Sequence, residues 1–178
     1  MDKRLVIEFV PGIAFLIGNA LGGLFTGAGF ACAATIIAIL LRWRWDRRLP
    51  WMAIAICALT LVLVGAAFVF DDETFIKVSA TVGSVAFAAI IAAGMLVRPS
   101  LLERTLGYKL QMTAEGWIAL HASWIAISLA RAGVNEAIWR NVANDVWAIY
   151  NGLSDFGWFA VFFGATWLCA DRYWNGPD

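Results

Sequence analysis

The architecture is decided by residues 49–97, which run LPWMAIAICALTLVLVGAAFVF (49–70), DDETFIK (71–77) and VSATVGSVAFAAIIAAGMLV (78–97). The first and last stretches contain 22 and 20 residues and no charged side chain. At about 1.5 Å per residue, each forms a helix of roughly 30 Å, the thickness of a bilayer's hydrocarbon core. Neither alternates with the period of two that barrel strands require. The centre of the chain is therefore predicted to be a transmembrane helical hairpin whose acidic turn lies in water.

The composition of the whole chain also indicates a membrane protein. Hydrophobic residues make up 62% and charged residues 15% of its 178 residues, against about 45–50% and 25% in soluble domains. The formal net charge is zero, which argues against a nucleic-acid partner because no basic domain stands out. Cys32, Cys57 and Cys169 are far apart and form no CxxC motif. Small packing residues are therefore a better interpretation of them than a disulfide or a metal site.

The N-terminal region is too long for one crossing. Residues 9–41 carry no charged side chain, and a straight helix of that length would reach about 50 Å. We place a break at residues 18–23, GNALGG, because two adjacent glycines and an amide weaken a helix. This gives a shorter membrane helix at 5–17 and a full span at 21–41. Whether residues 5–17 cross the membrane, and hence the orientation of the N-terminus, stays open.

Small residues recur at helical spacing in this region. They are Gly18, Gly22, Thr26, Gly29 and Ala33. In lipid, such a stripe lets two helix backbones approach closely. It is compatible with packing inside the molecule and with a homodimer. Leucine at Gly22 or Gly29 is expected to separate the packed helices and lower thermal stability.

The remaining sequence completes an all-α, polytopic transmembrane bundle. Thr113 is a suitable N-cap, and the connector before it has one apolar face, which favours a short interfacial helix at its start. Residues 136–150 repeat apolar side chains with a period of 3.6, which predicts an outward amphipathic helix lying in the interface. The prediction is one integral membrane domain, 1–178, with five full spans and the shorter N-terminal membrane helix. Its membrane segments are 5–17, 21–41, 49–70, 76–97, 114–134 and 153–170.

Orientation follows from lysine and arginine. The loops 42–48 and 98–109, together with the C-terminal tail, hold eight of these residues, whereas 71–77 and 131–155 hold three. Because cytoplasmic loops are enriched in both, the first group and the C-terminus are predicted to be cytoplasmic. We expect a multi-pass protein of the bacterial inner membrane with the 71–77 turn facing outward.

Enzyme signatures are missing from the sequence. His121 is the only histidine, so an HExxH motif or a pair of histidine ligands is impossible. No GxGxxG or GxxxxGK[ST] motif is present to hold a nucleotide. The adjacent acids Asp71, Asp72 and Glu73 are better explained as a solvated turn than as a cation site. We predict no catalytic residue, no cofactor and no metal, and hence no enzyme.

Polar residues cluster instead near the outward interface. Arg131, Glu136, Arg140 and Asp145 can form an ion-pair network that holds the amphipathic helix, a docking site for a lipid headgroup or protein, or a transport pathway. Tryptophans on the same segment add contact area. The docking candidates are Arg131, Glu136, Trp139, Arg140 and Trp147, with Asp72, Glu73, Phe75 and Lys77 in the outward turn.

Several short motifs occur in order along these segments. They are Asp72-Glu73-Thr74-Phe75-Ile76-Lys77, Leu106-Gly107, Leu110-x-Met112-Thr113, Gly116-Trp117, Asn135-Glu136-Ala137-Ile138-Trp139-Arg140 and Trp147. Together they resemble the intracellular septation protein A family, small polytopic inner-membrane proteins of Gram-negative bacteria, over almost the whole chain. The chain departs from the family at residues 78–81, where further basic residues are usual, and at 147–153, where a lysine is frequent.

The resemblance implies a part in envelope integrity and septum formation, and it does not imply a reaction. We expect a non-catalytic scaffold whose partners are membrane lipids and membrane proteins of the division or elongation machinery, with a homodimer as a further possibility. The alternative is a small transporter or lipid-handling protein with a cavity near Arg131 and the glycine-rich helix.

Overall fold

The protein is built from helices. The computed structural model describes residues 3–47, 51–107 and 109–175. The helices in these ranges are α1 (Lys3–Asp46), α2 (Trp51–Phe70), α3 (Thr74–Gly94), α4 (Leu101–Leu106), α5 (Ala114–Asn141) and α6 (Asn144–Arg172). Within the same ranges no strand forms, and the only strand-like feature is an isolated antiparallel bridge between Met112 and Trp174. The predicted all-α class is confirmed.

Among the residues that the structure describes, four helices are long and apolar enough to cross a membrane. They are the Phe9–Trp45 part of α1, Thr74–Gly94, Ala114–Asn141 and Asn144–Arg172, while Ile54–Phe70 in α2 is a shorter apolar helix. Large apolar side chains also lie on the surface, among them Leu96, Val69 and Leu21, which are 87%, 77% and 72% exposed. Lipid is a suitable solvent for such side chains, because large contiguous apolar patches are uncommon on soluble proteins. The fold is that of a multi-pass membrane protein, and the number of five full spans stays a prediction.

Helix α1 is two helices joined at a double glycine. Gly22 and Gly23 leave the helical region, and Gly23 has a φ of 79°, which residues with a Cβ seldom adopt. The two segments then pack together near the break, because a Cβ on Gly18 would lie only 2.9 Å from the Cα of Gly27. The predicted break between residues 18 and 23 is confirmed.

The glycines chosen from the small-residue stripe are not the ones that make close helix contacts. A Cβ on Gly29 would meet nothing within 4 Å, and one on Gly22 would meet only Thr26 in the following turn. The close approaches are made by Gly18 and Gly27, on either side of the break. The expectation that leucine at Gly29 separates packed helices is therefore wrong, since that position looks into open space.

The segment 136–150 is not one amphipathic helix. Residues up to Asn141 continue α5 and residues from Asn144 begin α6, with a turn between them. The Asn141 amide donates to the Ala137 carbonyl at 2.7 Å, and such side-chain bonds compete with continued helix at a terminus. Consequently, α5 extends beyond the predicted 114–134, and α6 begins before the predicted residue 153.

The described residues divide into two compact units, and the first consists of Met1–Gly83 with Gly133–Phe156. Its core joins four helices and comprises Phe15, Leu24, Ala28, Val64, Ala67, Ile76, Trp147 and Ala148. The rings of Phe15 and Trp147 meet edge to face with centroids 5.9 Å apart. Close by in sequence, a Cβ on Gly12 would lie 2.7 Å from the Gly152 carbonyl oxygen, so α1 and α6 approach backbone to backbone.

The second unit consists of Ser84–Ala132 with Gly157–Asp178. An aromatic cluster of Phe87, Trp124 and Phe162 lies in it, with the Trp124 and Phe162 centroids 5.2 Å apart. His121 is 1% exposed, and its Nδ1 lies 2.7 Å from the Trp117 carbonyl oxygen.

The entry to α5 in this unit follows the sequence prediction. The Thr113 hydroxyl oxygen accepts from the Gly116 N–H at 3.2 Å, which is the expected N-cap bond. The predicted short helix of the connector is also present, as α4.

Candidate interaction site

A buried amide, Asn135, joins three helices of the first unit. Its Nδ2 donates to the Lys77 carbonyl oxygen of α3 at 2.9 Å and to the Thr81 Oγ1 at 2.8 Å. Its Oδ1 accepts from the Trp147 Nε1 of α6 at 3.1 Å. Asn135 is only 2% exposed, and a buried amide is costly unless hydrogen-bonded. These four residues, named here the Asn135 junction, meet that requirement by using both N–H groups and the oxygen of the amide.

The junction continues outward through Thr81. The Thr81 hydroxyl accepts from Asn135 and donates to the Glu136 Oε1 at 2.8 Å. The Glu136 Oε2 in turn accepts from the Arg140 Nε at 2.7 Å. A continuous run of hydrogen bonds therefore extends from the buried Trp147 to the guanidinium of Arg140, whose side chain is 62% exposed.

Arg140 is also held by an aromatic ring. Its guanidinium carbon lies 4.4 Å from the centroid of the Trp139 ring, which favours a cation electrostatically. Trp139 is half-buried against the core of the first unit. One side of the guanidinium is thus stacked and another is hydrogen-bonded, so Arg140 is positioned rather than freely solvated.

A second charged group ties the turn after α2 to the start of α6. The Lys77 Nζ donates to the Asn144 Oδ1 at 2.6 Å and lies 3.7 Å from the Glu73 Oε2. The Asn144 Nδ2 closes the triangle by donating to the same Glu73 oxygen. Lys77 thus serves twice, with its carbonyl in the Asn135 junction and its ammonium group here. Glu73, Lys77, Glu136, Arg140 and Asn144 are named here the charged rim.

Asp72 and Phe75, the other residues predicted in the outward turn, make contacts within the protein. The Asp72 Oδ1 accepts from the Thr74 N–H at 2.8 Å. Bonds from the Thr74 hydroxyl and backbone N–H to the exposed carboxylate hold the pKa of Asp72 below its ordinary value. Phe75 stacks on Phe70 at 5.6 Å and packs against the core. The two residues support the turn, and the rim lies beside them.

One predicted docking residue, Trp147, lies in the core. The Trp147 ring is 1% exposed and belongs to the core of the first unit. Its predicted role as a docking surface is wrong, because a partner cannot reach a ring buried by Phe15 and its neighbours. Arg131 lies in the second unit, where it is half-buried. Asp145 is exposed at the start of α6.

Asn135, Thr81 and Asn144 were missed as site residues by the sequence reasoning. Asn135 did carry a usable signal, since an amide at the end of an apolar span requires a partner. Thr81 had none, because a threonine in a helix commonly bonds its own preceding turn. Among the residues whose placement is described, no group of three or more histidine, cysteine, aspartate or glutamate side chains could hold a metal ion. The arrangement is suited to presenting fixed charges.

Comparison with known proteins identifies the family of the chain. The family model described as "IspA: Intracellular septation protein A" matches residues 3–173. A protein of Afipia carboxidovorans named "Inner membrane-spanning protein YciB" is 31% identical over 169 residues, covering 91% of this chain and 84% of its own length. A protein of the same name from Bradyrhizobium sp. (strain ORS 278) is 29% identical over 174 residues, covering 98% and 87% respectively. No solved structure matches. The apolar helices and these relatives make the chain a multi-pass inner-membrane protein, and it belongs to the intracellular septation protein A family.

Proposed function

We propose that this protein supports septation and envelope integrity as a non-catalytic scaffold, and that the charged rim docks membrane-protein partners of the division or envelope-synthesis machinery. The observation that carries the proposal is the positioning of Arg140. An exposed ion pair stabilises a fold by only about 0.3–0.5 kcal/mol, so stability alone gives little reason to hold it with a buried amide, a hydroxyl and an indole. A preorganised charge loses less conformational entropy when a partner binds it.

The glycine-rich part of α1 favours a scaffold over the transporter alternative. Gly18 and Gly27 bring the two segments of α1 into backbone contact. These two glycines are used for close packing, which is the ordinary role of small residues between helices in lipid. A pathway lined by that stretch would need it to face a cavity.

The test uses Arg140→Gln and Arg140→Lys in a strain lacking the protein. Glutamine removes the charge with little effect on folding, so we expect loss of envelope integrity at unchanged membrane abundance. Lysine keeps the charge but loses the planar fork and part of the stacking, so partial rescue is expected. Arg104→Gln is the matched control, because Arg104 is also an exposed arginine but lies in α4 of the second unit.

The readouts are growth under envelope stress, septum morphology and the amount of protein in the membrane fraction. Full complementation by Arg140→Gln would overturn the assignment of docking to the rim. Equal defects in Arg140→Gln and Arg104→Gln would also overturn it, because the effect would then follow net charge and not this site.

A further inference from the structure

The C-terminal end of α1 alternates cations and aromatic rings. Its last residues are Arg42-Trp43-Arg44-Trp45-Asp46, followed by Arg47. Trp43 and Trp45 are 50% and 43% exposed, and Arg44 and Arg47 are exposed. The 41 residues before Arg42 end in an uncharged apolar run, so this end of the helix emerges directly from the predicted hydrocarbon core.

Helix geometry distributes these side chains around the axis. Successive residues of an α-helix are about 100° apart, so residues 42–45 surround the helix end with rings and guanidinium groups in turn. Tryptophan favours the headgroup level of a bilayer. The two exposed rings therefore place the arginines beside them at the depth of the lipid phosphates.

Two of the cations at this end, Arg44 and Arg47, stand apart from the described carboxylates. Neither Arg44 nor Arg47 has an ion-pair partner among the side chains that the structure describes. In the charged rim, by contrast, Lys77 lies 3.7 Å and Arg140 lies 2.7 Å from a glutamate oxygen. Exposed cations without an internal carboxylate are free to bind an external anion.

We infer that this end of α1, with Arg44 and Arg47 as its principal cations, is a binding surface for the headgroups of anionic phospholipids. A guanidinium matches a phosphate with two parallel hydrogen bonds. A lipid with a net negative headgroup is preferred to a zwitterionic one, because the zwitterion's own ammonium group competes for the phosphate. The occupant is a membrane lipid, since the flanking rings fix the site at headgroup depth.

The experiment is a lipid titration of the full chain, delipidated in detergent and followed by native mass spectrometry. Phosphatidylglycerol and phosphatidylcholine with identical acyl chains are the probes. One arginine near an anionic membrane surface contributes about a fivefold change in affinity, so Arg44→Gln with Arg47→Gln is expected to weaken phosphatidylglycerol binding about twenty-five-fold. Lysine at both positions should keep most of the affinity, because the charge is retained.

The matched control is Arg98→Gln with Arg104→Gln, which removes the same charge from exposed positions of the second unit. A small effect of the control, with binding of phosphatidylcholine unaffected in every variant, supports the surface. Equal losses in the two double variants would overturn it, as would equal binding of the two lipids by the unaltered chain. Glycerol phosphate in solution is the last arm: competition at the lipid's own affinity would show a site for soluble anions and overturn the lipid assignment.

Discussion

The charged rim and the basic end of α1 are both rich in arginine or lysine, yet they hold their charges differently. In the rim, Lys77 of α3 bonds Asn144 of α6 and Arg140 bonds Glu136 within α5, while Thr81 links Glu136 to the buried Asn135. At the basic end, Arg44 and Arg47 are exposed at the end of a single helix. A charge held by contacts from several helices has a fixed position relative to the whole protein surface. A charge at the end of a single helix is fixed only in its depth in the membrane. The first suits a protein partner and the second a fluid lipid surface.

The largest effect that would break this comparison is removal of Asn135. Asn135→Leu deletes three hydrogen bonds, leaves the buried Trp147 Nε1 without its acceptor and takes one of two partners from the Thr81 Oγ1. Each unsatisfied buried group costs about 1–3 kcal/mol, so we expect a loss of roughly 3 kcal/mol in the free energy of unfolding. Thermal unfolding in detergent measures it.

The control for that loss is Asn141→Leu, which removes one exposed bond to the Ala137 carbonyl. It is expected to change stability by less than about 1 kcal/mol. Similar losses in the two variants would mean that the junction adds nothing beyond an ordinary amide bond, and that the rim is no better supported than the basic end.

A medium effect is expected at the close approach of α1 and α6, which positions the helix carrying Trp147. A Cβ at Gly12 would lie 2.7 Å from the Gly152 carbonyl oxygen, and a backbone atom cannot move aside as a flexible side chain can. Gly12→Ala should therefore destabilise the protein by about 1–3 kcal/mol. Thermal unfolding in detergent measures this destabilisation, and an assay of partner binding at the charged rim should also detect it.

The matched substitution on the same helix is Gly29→Ala, where the new methyl group meets nothing within 4 Å. There, alanine should be neutral or stabilising by up to about 1 kcal/mol, since it favours helix more than glycine does. If Gly29→Ala lowers stability instead, the helix face that contains Gly29 is in contact with another molecule. A change in the size of the oligomer would then identify that molecule as a second copy of the chain.

The smallest effect concerns pH and the turn beside the rim. Because Thr74 holds the pKa of Asp72 below its ordinary value, the Asp72 carboxylate stabilises the folded state above that ordinary value, near pH 4. Its contribution is lost as the pH falls through the lowered pKa of the folded state. The difference in Tm between the unaltered chain and Asp72→Ala should therefore shrink on acidification from pH 7 towards pH 3. A constant difference over this range would show that the charge contributes nothing.

Much of the fold was predictable because it depends on strong local signals. Long uncharged runs give helices in lipid, two adjacent glycines break one, and a threonine before a helix caps it. The break at Gly22–Gly23 and the Thr113 cap follow directly from these rules. The prediction of one amphipathic helix over residues 136–150 is wrong because the apolar side chains keep a period of 3.6 on both sides of the turn. The polar residues Asn141 and Asn144, which bound that turn, therefore do not stand out in the sequence pattern.

The candidate site was predicted only in part. Glu136 and Arg140 were found because their i,i+4 spacing is a local property. Trp147 was misassigned because a tryptophan on an amphipathic segment follows the same pattern whether it faces headgroups or the core. Asn135 meets Thr81 across 54 residues of sequence, and no local pattern encodes a contact at that distance. Small-residue spacing likewise indicated close packing in α1 without specifying which glycines touch.

Lys77 bonds the buried Asn135 through its backbone and the surface residues through its side chain, and this has a consequence for how such proteins can diverge. The residue contributes to the buried amide only through its carbonyl oxygen, while its ammonium group alone engages Glu73 and Asn144. A change of side chain at this position would alter the surface and leave the interior bond in place. The internal framework and the outward chemistry can therefore change independently at this position, because a new side chain alters the surface while the helix backbone stays the same.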